Sequence, residues 1–422
     1  MALSRRQVLS QGTAAAVLAV GGWSLATPMA SASQMSSVDK ALLDAMRRLH
    51  ETPGGPPAII VAFGRGSHTV GVADLRGHRP PKVTDHTRLA SVAKAFSGAT
   101  ALALVARGRL SLDDTIGRWL DGLPREWSRV TLSQLLGHTS GVPDFSDTGK
   151  FRTALFAALQ NPPPHRVLLT YVDAPELEFT PGSRYSYSNT DNILVALMCE
   201  AAAGGSYEDV LRKRVLDPLG LGETSLPNGS AMPAPFVHGY DVGEQPPEDV
   251  STLVAAGWSW ASGGVVSTPA DTVRFIRGYV RGDTTNRAAQ RAQFQFRPGS
   301  SEPPGPGVTN PTKSRRTPSS TKPLLRKPDS RGCGRISNER HSNSAGLALF
   351  RYDTRYGRVF GHTGNTAGYT QFTAATQDGS RAVAVTASAQ ITPTTNAHLF
   401  PQLREIFELA VGAALNRHGD PA

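Results

Sequence analysis

The sequence predicts an α/β protein of the α+β type. A mainly antiparallel sheet is flanked by terminal helices, and a helical domain is inserted into it. Three observations carry this reading. Short apolar strand patterns occur near residue 60 and again beyond residue 358. Helical periodicity fills the interval between them. Amphipathic helices open and close the folded part. Strands divided by so much helix are simplest to satisfy if they meet again in one sheet.

The elements follow in order. Residues 37–52 read as a helix with Val38, Leu42, Leu43, Met46 and Leu49 on one side. Ala58-Ile59-Ile60-Val61-Ala62-Phe63 is a short strand. Gly64-Arg65-Gly66 turns it, and residues 69–73 return as a second strand. From Ser91, the apolar spacing of Ala93, Phe96, Ala99, Leu102 and Val105 predicts a helix that stops at Gly108. Further helices are expected over 131–136, 190–203 and 268–281. The last of these starts at Ser267-Thr268-Pro269, a capping residue followed by proline in the first turn. Strands are expected again at 358–362, 370–375 and 381–387, the last two forming a hairpin around Asp378-Gly379. A helix over 397–417 closes the chain. The sheet part is therefore expected at about 38–90 and 343–417 within a domain spanning 33–417, with the helical part at about 91–285.

Two segments fall outside this plan. Residues 297–342 are rich in Pro, Ser, Gly and Arg and lack apolar periodicity. They are expected to be a disordered basic insertion, because they cannot bury enough surface to offset their ordering entropy. Residues 1–32 read as a twin-arginine-type signal peptide. Arg5-Arg6 precede an alanine-rich apolar run, and Ala30-Ser31-Ala32 fits a small-residue cleavage site. The expectation is an exported, secreted protein with no stable membrane span after cleavage.

The formal net charge is +10 over 422 residues, but it is concentrated. Between Val308 and Ser342 there are nine Lys or Arg against two acids, and Arg5 and Arg6 lie in the leader. The rest is close to neutral, which argues against a nucleic-acid partner. Two cysteines, Cys199 in an apolar helical run and Cys333 in the basic stretch, exclude a disulfide framework. No phosphate loop, dinucleotide fingerprint or His-Glu-x-x-His motif occurs, so neither a metal nor another cofactor is expected.

Three motifs carry chemistry. Ser91-Val92-Ala93-Lys94 sets a hydroxyl at a helix start, with an amine one turn on. A serine needs a nearby base to become a nucleophile, and lysine can serve when burial or another cation lowers its pKa. Tyr187-Ser188-Asn189 lies in a polar loop entering an apolar helix. There the phenol can pass protons, and Asn189 can offer its amide to a substrate carbonyl. Gly361-His362-Thr363-Gly364 is read as ending a strand, where a backbone N–H completes an oxyanion hole with that of Ser91. His362 is considered as a cation or hydrogen-bond donor for a substrate carboxylate. Arg351, eleven residues earlier, is the alternative cation. His138, at a helix end in Gly137-His138-Thr139-Ser140-Gly141, is assigned a structural role.

With these motifs in this order, the chain resembles the serine β-lactamase and penicillin-binding protein family, in the branch with class C β-lactamases, D-alanyl-D-alanine carboxypeptidases and related esterases. Leu132-Ser133-Gln134-Leu135-Leu136 with the following Gly-His-Thr-Ser-Gly, Tyr185-Ser186-Tyr187-Ser188-Asn189-Thr190 and Ser262-Gly263-Gly264 support the likeness. It runs from about Val38 to Arg417, apart from the basic stretch. The resemblance implies an acyl-enzyme on Ser91, with Lys94 and Tyr187 as the acid/base pair. It implies substrate contacts from Asn189, His362, Thr363 and Gly364. His362 stands where many relatives have lysine. The implied partner is a small acyl substrate: a D-Ala-ending peptide, a β-lactam or an ester. The exported carboxypeptidases resemble it most, esterase or β-lactamase activity is the alternative, and a monomer is expected. The basic insertion, entering just before the strand of His362, leaves open a penicillin-binding protein with an impaired site.

Overall fold

A computed structural model describes residues 35–243, 245–297, 300, 306 and 343–417. The expected leader lies outside the described residues, as does nearly all of the expected basic insertion. Seven strands form one antiparallel sheet: β1 (Ala58–Phe63), β2 (Ser67–Gly71), β3 (Ser344–Ala345), β4 (Phe350–Thr354), β5 (Gly357–Thr366), β6 (Tyr369–Ala375) and β7 (Ala382–Ala387). Their spatial order is β2-β1-β7-β6-β5-β4-β3. The two ends of the chain thus meet where β1 pairs with β7, from Ile59 opposite Ala387 to Phe63 opposite Val383.

All six residues of β1 are buried, because both faces of the sheet are covered. On one face, Ile59, Val61 and Phe63 pack with Leu42, Met46 and Leu49 of α1 (Ser37–Glu51) and with Leu403, Ile406 and Phe407 of α6 (Phe400–Asn416). Ser36 caps α1 by accepting a hydrogen bond from the Asp39 N–H. The opposite face meets the helical part. Its centre is α2 (Ala93–Val105), buried from Ala93 to Leu104 and largely apolar apart from Lys94, Ser97 and Thr100, as befits a helix enclosed by protein. Around it lie α3 (Leu132–Leu136), α4 (Asn189–Ala203) and α5 (Pro269–Arg281). Phe96 of α2 stacks on Phe275 of α5 with ring centroids 3.5 Å apart. A Cβ at Gly98 would sit 2.4 Å from the Ala348 methyl, so only glycine lets α2 approach there. Cys199 is a free, buried residue of α4.

Three expectations need correction. Ser91 is not yet in the α-helix: a 3₁₀ turn, Ala90–Val92, precedes α2. The strand carrying His362 does not end at the motif but runs to Thr366. The strand β4 was not expected at all, and it pairs with β5 from Phe350 opposite Gly361 to Thr354 opposite Gly357. Among the described residues, no helix is long and apolar enough to cross a membrane.

Candidate active site

Ser91 is held by an unusual turn. Ala90 has φ +48°, a left-handed value that a non-glycine residue adopts only when its surroundings enforce it. The constraint is visible on both sides. The Leu89 N–H donates to the Val265 carbonyl at 2.9 Å, and β5 presses from the other direction. A Cβ at Gly364 would lie 2.3 Å from the Leu89 carbonyl oxygen and 3.1 Å from the Ser91 nitrogen. The turn opens Ser91 onto a cavity of about 180 Å³ lined also by Ser146, Asn189, Ser262, Phe151 and Trp258.

Lys94 projects from the first turn of α2 to the same place and is fully buried. Its Nζ lies 3.2 Å from Ser91 Oγ, 2.7 Å from Asn189 Oδ1 and 2.7 Å from the Ser262 carbonyl oxygen. Burial lowers its pKa to about 7, against the opposing pull of Asp144 and Asp191. A large neutral fraction therefore exists near pH 7. A neutral amine has two N–H donors and one lone pair. The two 2.7 Å contacts go to oxygens that can only accept, so they take the donors. The longer contact, to the one partner with a proton to give, is left for the lone pair. That is the arrangement a general base for Ser91 requires.

Asn189 sets this orientation. Asp144 Oδ2 accepts from both the Asn189 backbone N–H, at 2.8 Å, and its side-chain amide, at 3.0 Å. Ser146 Oγ accepts from the same amide at 2.8 Å. With its nitrogen fixed, the amide can only turn Oδ1 toward Lys94. The side chain expected to touch substrate is thus occupied in holding the base. Asp144 and Ser146 escaped the sequence reading because 45 residues separate Asp144 from Asn189. Tyr187 is adjacent: its ring centroid lies 4.9 Å from Lys94 Nζ and its phenolic oxygen is buried.

Strand alternation distributes the third motif over two faces. Gly364 turns toward Ser91, so Thr363 turns away. Thr363 lies opposite Phe372, a member of the core under the terminal helices, and its hydroxyl neighbours the Tyr352 phenol there. The Thr363 side chain is therefore not brought to the cavity. Asn365 and Thr366, the next two residues of β5, line the cavity with Ser91. His362 is fully buried, and its Nδ1–H donates to the Thr363 carbonyl at 2.6 Å. Phe350 meets its ring edge-on at 4.9 Å. Burial pushes its pKa down to about 3, so the ring is neutral near pH 7 and the cationic role considered for it is not available. Arg351 is not brought to the cavity. Its Nε lies 3.2 Å from Asp353 and its guanidinium 5.8 Å from the Phe296 ring centroid. None of the described residues lining the cavity is Lys, Arg, Asp or Glu. Among the described residues, no group of three or more His, Cys, Asp or Glu could hold a metal ion.

The close contact of Gly364 gives a direct prediction. Gly364→Val must displace the Ala90 turn by an ångström or more. Misplacing a reacting group by about that much costs on the order of 10²-fold in rate. Acylation measured by stopped flow is expected to fall at least that far, with cooperative unfolding retained. An unchanged rate would show that β5 does not set the position of Ser91.

The family model described as Beta-lactamase matches residues 44–406. Penicillin-binding protein 4* of Bacillus subtilis (strain 168) is 28% identical over 243 residues, covering 54% of this chain and 52% of the relative. The D-alanyl-D-alanine-carboxypeptidase/endopeptidase AmpH of Escherichia coli (strain K12) is 27% identical over 220 residues, covering 51% and 54%. The chain thus spans about half the length of these relatives. The crystal structure of a D-stereospecific amidohydrolase from Streptomyces sp. has the same fold, with a TM-score of 0.66 and 24% identity over 86% of this chain and 98% of that one.

Proposed function

The chain belongs to the beta-lactamase family of serine hydrolases, and we propose that it works through an acyl-enzyme on Ser91. The observation that carries this is the set of three contacts at Lys94 Nζ. Neutral Lys94 takes the hydroxyl proton as Ser91 Oγ attacks the acyl carbonyl. The Ser91 N–H and the β5 backbone beyond Gly364 receive the oxyanion. Tyr187, beside the protonated amine, delivers a proton to the leaving group. Water then attacks the ester on Ser91 with the same groups acting in reverse. Asn189 is a positioning residue for Lys94.

The substrate class is a D-amino-acid peptide or a related small acyl donor, and the site of action is outside the cytoplasm. The named activity of the Escherichia coli relative and the twin-arginine pattern at Arg5-Arg6 support this reading. A second reading, a hydrolase of neutral esters or amides, is favoured by one observation: the described lining of the cavity carries no charge to pair with a substrate carboxylate.

The test compares diacyl-Lys-D-Ala-D-Ala, its L-Ala counterpart and p-nitrophenyl acetate. Release of D-alanine with rejection of the L-isomer is expected for the peptidase. Fast ester cleavage without D-alanine release rejects the peptidase and selects the second reading.

A further inference from the structure

A buried cluster beside the site has no part in the mechanism so far. His138 follows α3 with φ +52° and is almost fully buried. A β-carbon-bearing residue held in that conformation signals a constraint imposed by its neighbours. The constraint lies in the Tyr187 segment. The Ser186 N–H donates to the His138 carbonyl at 2.9 Å. The Ser188 N–H donates to His138 Nδ1 at 3.3 Å. Between these two anchors, the His138 ring packs against the Tyr187 ring with centroids 4.6 Å apart and planes 35° apart. One residue thus grips the peptide on both sides of Tyr187 and supports its ring as well.

The grip is itself braced. Asp191, fully buried in the first turn of α4, places Oδ2 3.1 Å from His138 Nδ1. Its Oδ1 accepts from Ser140 Oγ at 2.5 Å. The brace therefore joins three pieces: the loop after α3, the Tyr187 segment and the helix that carries Asn189. Burial pushes Asp191 toward its neutral acid form, so its Oδ2–H can donate to the His138 Nδ1 lone pair that the Ser188 N–H also faces, while its Oδ1 accepts from Ser140. Lys94 Nζ lies over the Tyr187 ring, 4.9 Å from its centroid.

We propose that His138, braced by Asp191 and Ser140, is a positioning residue that holds the Tyr187 phenol in register with Lys94 and Ser91. This rests on the acyl-enzyme reading, in which Tyr187 transfers the leaving-group proton. A structural histidine would affect folding alone. A positioning histidine affects the rate only through Tyr187, and a double-mutant cycle separates the two.

The rate of acylation by a chromogenic cephalosporin is measured in His138→Ala, Tyr187→Phe and the double variant. Loss of register by about an ångström should lower the rate of His138→Ala by roughly 10- to 100-fold while the dissociation constant of the encounter complex changes less than about threefold. In the Tyr187→Phe background, the same His138→Ala change should cost less than about threefold, because the hydroxyl being positioned is gone. Asp191→Asn, which keeps a polar group on Nδ1, should recover most of the rate lost in Asp191→Ala. Should His138→Ala fail to fold, His138→Gln replaces it in the same cycle. Equal losses in both backgrounds, or no loss in either, would overturn the positioning role. A Tyr187→Phe variant with an unimpaired rate would overturn the role of Tyr187 itself, and with it this inference.

Discussion

Ser91→Ala is expected to reduce turnover by about 10⁴- to 10⁶-fold, the range found when a serine nucleophile is removed. The change deletes a single oxygen. It leaves the strained turn at Ala90 and the Leu89–Val265 hydrogen bond in place. The buried core around α2 is not touched. The melting temperature should therefore move little. Activity assays beside thermal melts check the result. A variant that retains a tenth of the wild-type rate would place the nucleophile elsewhere.

Lys94→Met is the second large effect, about 10³- to 10⁴-fold in acylation rate by analogy with the loss of other bases paired to a nucleophile. Methionine approximates the shape of the lysine stem and carries no charge into the core. It leaves the Asn189 and Ser262 oxygens without a donor, at about 1–3 kcal/mol for each unsatisfied group. Removal of a desolvated amine offsets part of that cost. A modest fall in melting temperature is expected beside a near-complete loss of rate. The pH profile gives an independent check. Acylation needs neutral Lys94, and burial sets its pKa to about 7. The wild-type rate should therefore rise with pH through about 7 and level off above it, and the residual rate of Lys94→Met should lack that limb. A wild-type rate that is flat from pH 5 to 9 would contradict a lysine base.

Much of the fold was legible because it is local. The helices opening at Ser37, Asn189 and Pro269 start within one residue of where capping and apolar spacing put them. The hairpin about Gly379, whose φ is +68°, follows from its Asp-Gly turn. The β5 strand was cut short because Gly-His-Thr-Gly-Asn-Thr has no apolar alternation to read. Its continuation depends on β6 pairing it as far as Thr366. The site divides in the same way. Ser91 and Lys94 are one turn apart, and their meeting at 3.2 Å follows from helical geometry. Asp144, in the loop after α3, meets Asn189 at the start of α4, 45 residues away in the chain. The charge state of His362 depends on its burial and on nearby Lys94, neither of which the triplet encodes. Thr363 and Gly364 look alike as neighbours in a motif. Only the strand's parity, fixed by Gly364 against Leu89 and by Thr363 opposite Phe372, gives them different faces.

Peptide mass spectrometry after incubation with a slowly hydrolysed β-lactam tests the covalent mechanism most directly. The protein is quenched in acid within one turnover and digested. The account predicts a stoichiometric adduct on the peptide containing Ser91, absent in Ser91→Ala and strongly slowed in Lys94→Met. An unmodified Ser91, with the label on another residue or with turnover proceeding without any covalent species, would contradict it.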